Sequence, residues 1–257
     1  MPLKSYDEFI KRISDGYWMQ QPIWGEIATT TTGTFLANNQ FSIQKIGFTK
    51  NLPTLPSGVT NYICTRMFIA CSVFDVGFLF AKIIDFGNLN IAGPTFTNGV
   101  AMPTVTELGA SNQIASAVLV EVTTALNATP GSLQITYVDQ DGNTAEANTA
   151  QAMTASSVKN SVGWAILNGT DWGVRDITGA TRTGGTSPTG VVQFWGLIPL
   201  AFMGTGQTSA GITPVENLLT SGFNPVRLGG GDVLAGFCTS STSVRGLFGS
   251  LYFVGDN

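Results

Sequence analysis

The chain has 257 residues and no histidine among them. That absence excludes Ser-His-Asp and Cys-His nucleophilic centres and the zinc sites that depend on imidazole. Charge is scarce as well. Asp, Glu, Lys and Arg make up 11% of the residues, against about 25% in an ordinary soluble domain. The 16 acids and 12 bases leave a net charge of −4, and no stretch concentrates Lys or Arg, so a groove tracking nucleic-acid phosphates is not expected. There is no G-x-S-x-G elbow, no Walker A sequence and no G-x-G-x-x-G; Gly229, Gly230 and Gly231 precede Asp232 in what reads as a loop. Two carboxylates can hydrolyse a glycoside, but acids this scattered nominate no pair. The expectation is a protein that is not an enzyme, with no catalytic residue, no cofactor and no metal ligand set.

Cysteine is rare too. Cys64, Cys71 and Cys238 cannot all pair, and on one extended strand Cys64 and Cys71 would stand roughly 23 Å apart, beyond disulfide reach. They read as small buried hydrophobes. Met1–Arg12 alternates charged and apolar residues without the apolar core of a secretory leader, so the sequons Asn127-Ala-Thr129 and Asn168-Gly-Thr170 carry little weight. The most apolar stretch, Met67–Ile84, is broken by Asp75, Gly77 and Lys82 and reads as two buried strands, not a membrane span.

What is present is short apolar runs on a β-branched background, with turn residues between them. Leu133-Gln-Ile-Thr-Tyr-Val138 has the period-2 pattern of a half-buried strand. Asp141-Gly142 then supplies the positive φ of a tight reversal, and Asn143 tolerates it as well. A hairpin returning through Thr144–Met153 follows. Asp139, Asp141 and Asn143 have the look of a calcium loop, but the glycine stands one residue after the second Asp, a register that an EF-hand does not use. Further strands are expected at Phe41–Thr49, Tyr62–Phe74, Phe78–Phe86, Ile114–Leu126, Val174–Arg182, Val191–Met203, Val233–Thr239 and Arg245–Val254. About ten antiparallel strands on this background imply an all-β, jelly-roll-like antiparallel β-sandwich, with a single up-and-down barrel as the alternative.

Two helices interrupt that pattern. Ser5–Ser14 has a Ser5/Glu8 capping box, an apolar stripe of Tyr6, Phe9, Ile10 and Ile13, basic residues in its last turn and Gly16 to end it. Thr213-Pro-Val-Glu216 opens a second, two-turn helix closing at Gly222. After the first helix, Tyr17, Trp18, Met19, Pro22, Ile23 and Trp24 need a surface to cover them. Either the segment packs back on its own domain or it is an arm that docks elsewhere. The organisation expected is an N-terminal helix and arm over residues 1–40 and a β domain over 41–257. The candidate interface is Tyr6, Phe9, Ile10, Ile13, Tyr17, Trp18 and Trp24.

The order of segments resembles a group of tailed-bacteriophage virion proteins in which a short amphipathic helix precedes a jelly roll. The resemblance attaches to Ser5-Tyr-Asp-Glu-Phe-Ile10, Ile135-Thr-Tyr-Val-Asp-Gln-Asp-Gly-Asn143, Asp171-Trp-Gly-Val-Arg-Asp176, Val192-Gln-Phe-Trp-Gly-Leu-Ile-Pro-Leu200, Asn224-Pro-Val-Arg-Leu228 and Gly249-Ser-Leu-Tyr-Phe253. It implies a capsid decoration (cement) protein or another head or tail component, with no catalytic residues to carry over. Its partners would be copies of itself, a trimer being favoured, and the phage major capsid protein, with no nucleic acid and no membrane. Its place would be the capsid surface of a virion assembled in the host cytoplasm. The low charge agrees with self-association, since uncharged surface is commonly covered by copies. The rival reading is a carbohydrate- or host-receptor-binding jelly-roll module, for which Trp164, Trp172 and Trp195 are available to stack on sugar; core packing is the alternative role for the same three.

Overall fold

The computed structural model describes residues 11, 14–16, 18–27, 35–37, 43–71, 77–93, 95–99, 101, 114–144, 146–204, 216–217, 227–239 and 245–256. In them the chain is an all-β, jelly-roll-like antiparallel sandwich, in which every paired strand runs against its neighbour. The strands in chain order are β1 Trp18–Ile27, β2 Ile43–Asn51, β3 Asn61–Cys71, β4 Gly77–Asn90, β5 Thr95–Asn98, β6 Ala117–Thr124, β7 Ser132–Asp139 and β8 Glu146–Ala147. They continue with β9 Gln151–Ala152, β10 Ser161–Ala165, β11 Val174–Thr183, β12 Val191–Gly204, β13 Glu216–Asn217, β14 Arg227–Leu228, β15 Val233–Thr239 and β16 Arg245–Asp256.

The largest sheet runs β12-β6-β10-β2-β15-β4-β5, and β12 also pairs with β4. Six of its strands therefore close into a ring, so a small barrel stands inside the sandwich. Its interior is filled by Ile83, Leu119, Leu197, Ala235 and Phe237, with Trp164 and Trp195 packed beside them. Side chains that alternate along β6 explain why that strand is buried on both faces. Leu119 and Glu121 point into the ring, while Val118, Val120 and Val122 join the larger core outside it.

That larger core lies between the ring and a second sheet, β11-β7-β8 with β9 also on β7. Leu133, Ile135 and Tyr137 of β7 and Val174, Ile177 and Ala180 of β11 meet Phe86, Leu89, Val118 and Phe194 there. Full burial of a Phe or Ile side chain stabilises by about 1.5–3 kcal/mol, so this contact dominates the packing. One irregularity makes it possible. Between Phe194 and Trp195 of β12 the register to β4 shifts by a residue, leaving Phe86 as the extra one. The bulge flips the parity of β4, so that Phe86 before it and Leu89 and Ile91 after it reach the same core. Gly87 accommodates the kink at a φ of 109°, and the Asp85 carboxylate accepts its N–H at 2.8 Å. Gly196 is required on the other strand, since a Cβ there would stand 2.6 Å from Phe86 Cζ and 3.0 Å from Ala115 Cβ.

The third sheet is β1-β16-β3-β13, with β14 also on β3. Strand β1 pairs with β16 along its whole length, Trp18 opposite Val254 and Ile27 opposite Arg245. Residues 18–27 therefore pack back on the β structure, one of the two courses open to that segment. Proline is tolerated in strands mainly at sheet edges, and Pro22 occupies the edge strand.

Nine of the ten expected strands are present, β15 with the expected limits and the others with shifted ends. The return of the hairpin is broken into β8 and β9, because the Asn148 side chain bonds Ile135 N in place of a ladder bond, at 2.8 Å. The late helix is corrected at Glu216 and Asn217, which extend along Met67 and Arg66 of β3; the rest of Thr213–Gly222 lies outside the described residues. A two-turn helix is marginal by itself, and pairing with an existing sheet outweighs its capping signals. Of Ser5–Ser14, Lys11 and Ser14 are described and are helical, Asp15 N–H donates to Lys11 O at 2.8 Å and Gly16 has a φ of 81°. The other residues of that helix lie outside the described set. Met67–Cys71 and Gly77–Ile84 lie on β3 and β4, and among the described residues no helix is long and apolar enough to cross a membrane.

Candidate interaction site

Five of the seven expected interface residues, Tyr6, Phe9, Ile10, Ile13 and Tyr17, lie outside the described residues. Trp18 and Trp24 share β1, and Trp18 is 53% exposed at its start. Of the three tryptophans considered for sugar stacking, Trp164 and Trp195 are half-buried and pack against the barrel interior. Trp195 Nε1 donates to the buried Glu121 Oε2 at 2.7 Å. Trp172 is different: it is 61% exposed.

Trp172 sits in the loop between β10 and β11, beside the β7 turn, and the loop is tied down from below. Tyr137, fully buried, donates its hydroxyl to Asp171 Oδ2 at 2.7 Å and accepts Asn168 N–H at 2.8 Å. Gln140 Oε1 accepts both Trp172 N–H and Gly173 N–H, at 3.2 and 3.3 Å. Gln140 is itself held, for the Arg175 guanidinium donates twice to its carbonyl at 3.0 and 2.8 Å and its own amide donates to Asp141 Oδ2 at 3.0 Å. A Cβ at position 173 would stand 3.3 Å from Gln140 Cβ, so glycine lets the loop run close to that side chain. Burial, above all, pushes the Tyr137 hydroxyl up to about 12; the Asn168 N–H works against this and the Asp171 and Glu146 carboxylates add to it.

The β7 turn completes the platform. Asp139 Oδ1 accepts the N–H groups of Asp141 and Asn143 at 2.9 and 2.8 Å, and Oδ2 accepts the Asn143 amide at 2.7 Å. Burial pushes this carboxyl up, but the hydrogen bonds from Asn143, Asp141 and Gly142 outweigh it and leave the pKa below its ordinary value. The Asp139, Asp141, Asn143 triplet is thus a turn closed on its own donors. Among the described residues, no group of three His, Cys, Asp or Glu side chains is placed to hold a metal ion.

The glycine run at 229–231 is structural as well. Gly229 N–H donates to Asp232 Oδ2 at 2.7 Å, the same oxygen meets Lys82 Nζ at 2.8 Å, and Gly231 N–H donates to Leu52 O at 3.0 Å. The sequon side chain of Asn127 donates to Thr186 O and Ser187 O, which fixes one loop against another.

Trp172 was open to sequence reasoning in one respect. It stands among Asn168, Gly169, Thr170, Asp171 and Gly173, a run of turn-forming residues that lifts the ring away from the apolar segments on either side. What the sequence did not contain was the clamp, because Tyr137, Gln140 and Arg175 come from other segments.

No family model matches the chain, and no curated protein matches it in sequence. Among solved structures it is similar to Merkel cell polyomavirus VP1 in complex with disialyllactose, at 11% identity over 100% of this chain and 98% of that one, with a TM-score of 0.22. It is also similar to infectious bursal disease virus of the Gx strain, at 12% identity over 93% and 81%, TM-score 0.19, and to a VP2 subviral particle of that virus, at 10% over 94% and 82%, TM-score 0.16. Likeness at this level is too slight to assign a fold or a function, and the architecture above rests on the strand pairing itself.

Proposed function

We propose that the chain is a structural protein of a virion, one that decorates a capsid by association and performs no turnover. The observation that carries this reading is how polar and apolar groups are distributed. The buried Asp139, Gln140, Asn148, Gln151 and Arg175 are bonded into turns and strand ends, whereas Trp18, Trp172, Ile166 and Val158 are large apolar groups left exposed. A framework that holds its own polar groups and presents apolar ones is suited to contact with other proteins. The charge content of 11% supports the same reading, since a surface so weakly charged is best covered by copies or by a lattice. The finer reading takes its support from the resemblance to tailed-phage virion proteins: association as a homo-oligomer, a trimer by preference, on the outside of a phage capsid assembled in the host cytoplasm, with the major capsid protein as partner. Many copies on one lattice turn a few kcal/mol each into a large stabilisation of the shell.

The docking element in this proposal is the segment before β1, with the stripe Tyr6, Phe9, Ile10 and Ile13. The arm is read at 1–40 and the β domain at 41–257, and the arm's strand β1 pairs with β16. A test of the arm must therefore stop short of Trp18. Deleting residues 1–16 is expected to leave urea unfolding cooperative and its midpoint unchanged, while binding to purified shells, read by co-sedimentation, falls by at least about tenfold. Light scattering on the full chain should give a multiple of 27.0 kDa. A truncated protein that still binds shells at full occupancy contradicts the docking role, and a monomer at micromolar concentration contradicts self-association.

A further inference from the structure

We propose that the Trp172 loop is a binding site for a neutral pyranose sugar, with the indole stacking on the sugar's C–H face and the Asp171 carboxylate accepting from its hydroxyls. The inference goes beyond the virion reading and does not depend on it.

Sugar recognition needs a flat apolar face in a fixed orientation and polar groups placed at its rim. Trp172 supplies the face, since it is 61% exposed and so contributes little to the core of its own chain. The loop supplies the fixed orientation. Trp172 N–H and Gly173 N–H share the Gln140 amide oxygen, and Gln140 is gripped in turn by Arg175 and Asp141. A loop already ordered loses little freedom when a ligand binds, which is where weak sugar contacts usually fail.

Asp171 supplies the rim. Its Oδ2 is engaged by Tyr137, which holds one oxygen of the carboxylate in place. Its Oδ1 has no partner among the described residues and is free to accept a hydroxyl. The side chains of Asn168 and Thr170 in the same loop are on exposed residues. Charge then chooses among sugars. Asp171 precedes Trp172 in the chain and the Asp141 carboxylate accepts from the Gln140 amide that holds the Trp172 backbone, so two carboxylates belong to this loop region, while Arg175 is buried with its guanidinium on the Gln140 carbonyl. A sialylated or sulfated glycan would meet repulsion from these carboxylates, with the Arg175 charge already committed to Gln140, and a neutral pyranose would not.

The test is saturation-transfer NMR on the full chain with methyl glycosides of glucose, galactose, mannose and N-acetylglucosamine at about 10 mM, a concentration suited to weak binding, with sialyllactose as the anionic comparison. At least one neutral glycoside should take up saturation at its ring C–H protons, and more strongly than sialyllactose. Trp172→Ala should cut that transfer by about tenfold and Asp171→Asn should weaken it, both with the urea midpoint held. No transfer to any of the four glycosides, transfer unchanged in Trp172→Ala, or a preference for sialyllactose would each overturn the proposal. Loss of shell binding in Trp172→Ala without any sugar signal would assign the loop to a protein contact and overturn it as well.

Discussion

Trp195 and Trp172 carry the same indole on opposite terms with solvent. Trp195 is half-buried and packs against the interior of the six-stranded ring with its Nε1–H on the buried Glu121; there the polar atom of the side chain is bound so that the indole can lie against a core. In the loop above β7 the polar atoms of the backbone are bound, to Gln140 and Tyr137, and the Trp172 ring is left out. Hydrogen bonding in the first region makes a core possible, and in the second it holds a side chain in display. Exposure in the second region is therefore a built feature and not a loose end, which is why Trp172 and not Trp195 is the functional candidate.

Mutations can break this comparison, and the largest effect is expected beneath the loop. Tyr137→Phe removes a hydrogen bond to a carboxylate and leaves Asn168 N–H without its acceptor, at a cost of about 2–3 kcal/mol by urea unfolding. Raising the pH should weaken the same point. The Tyr137 hydroxyl titrates near 12 in the folded chain and near 10 when unfolded, so the unfolded state loses its proton first. Its contribution is complete below pH 10 and is lost as the pH rises through 12. The midpoint of the native chain should fall over that window more steeply than that of Tyr137→Phe.

In the ring, Trp195→Phe keeps most of the apolar volume but takes a donor from the Glu121 carboxylate, and about 1–2 kcal/mol should be lost. The smallest effect is expected at the exposed ring, where Trp172→Ala should change stability by no more than about 0.5 kcal/mol. A loss at Trp172 as large as that at Trp195 would mean that the loop ring is part of a core after all.

The strands were legible because they repeat an apolar pattern with period 2, and β7 shows it without interruption, Leu133, Ile135, Tyr137 and Asp139 buried in turn. Asp139 shows where the pattern misleads. It shares the inward parity of Tyr137, yet as an acid it reads as outward, and only the three donors of its own turn make its burial affordable. Strand β10 escaped because Ser161-Val-Gly-Trp-Ala165 is short and small-sided, and its β character comes from β6 and β2 on either side. The closure of the ring was invisible too, since the β12–β4 pair joins residues about a hundred positions apart and depends on a one-residue bulge. Core packing is a natural reading of Trp172 because apolar residues lie on either side of its loop, at Ile166, Leu167 and Val174, and the ties that hold the ring out come from distant residues.

The central claim, a virion structural protein acting by association, is tested most directly by cryo-electron microscopy of the purified source particle. The account predicts density on the outside of the shell that accepts the three-sheet sandwich in several symmetry-related copies, with the segment before Trp18 directed at the capsid surface. A particle purified from the same source that lacks this chain, or that carries it with Trp18 and the preceding segment facing bulk solvent, would contradict it.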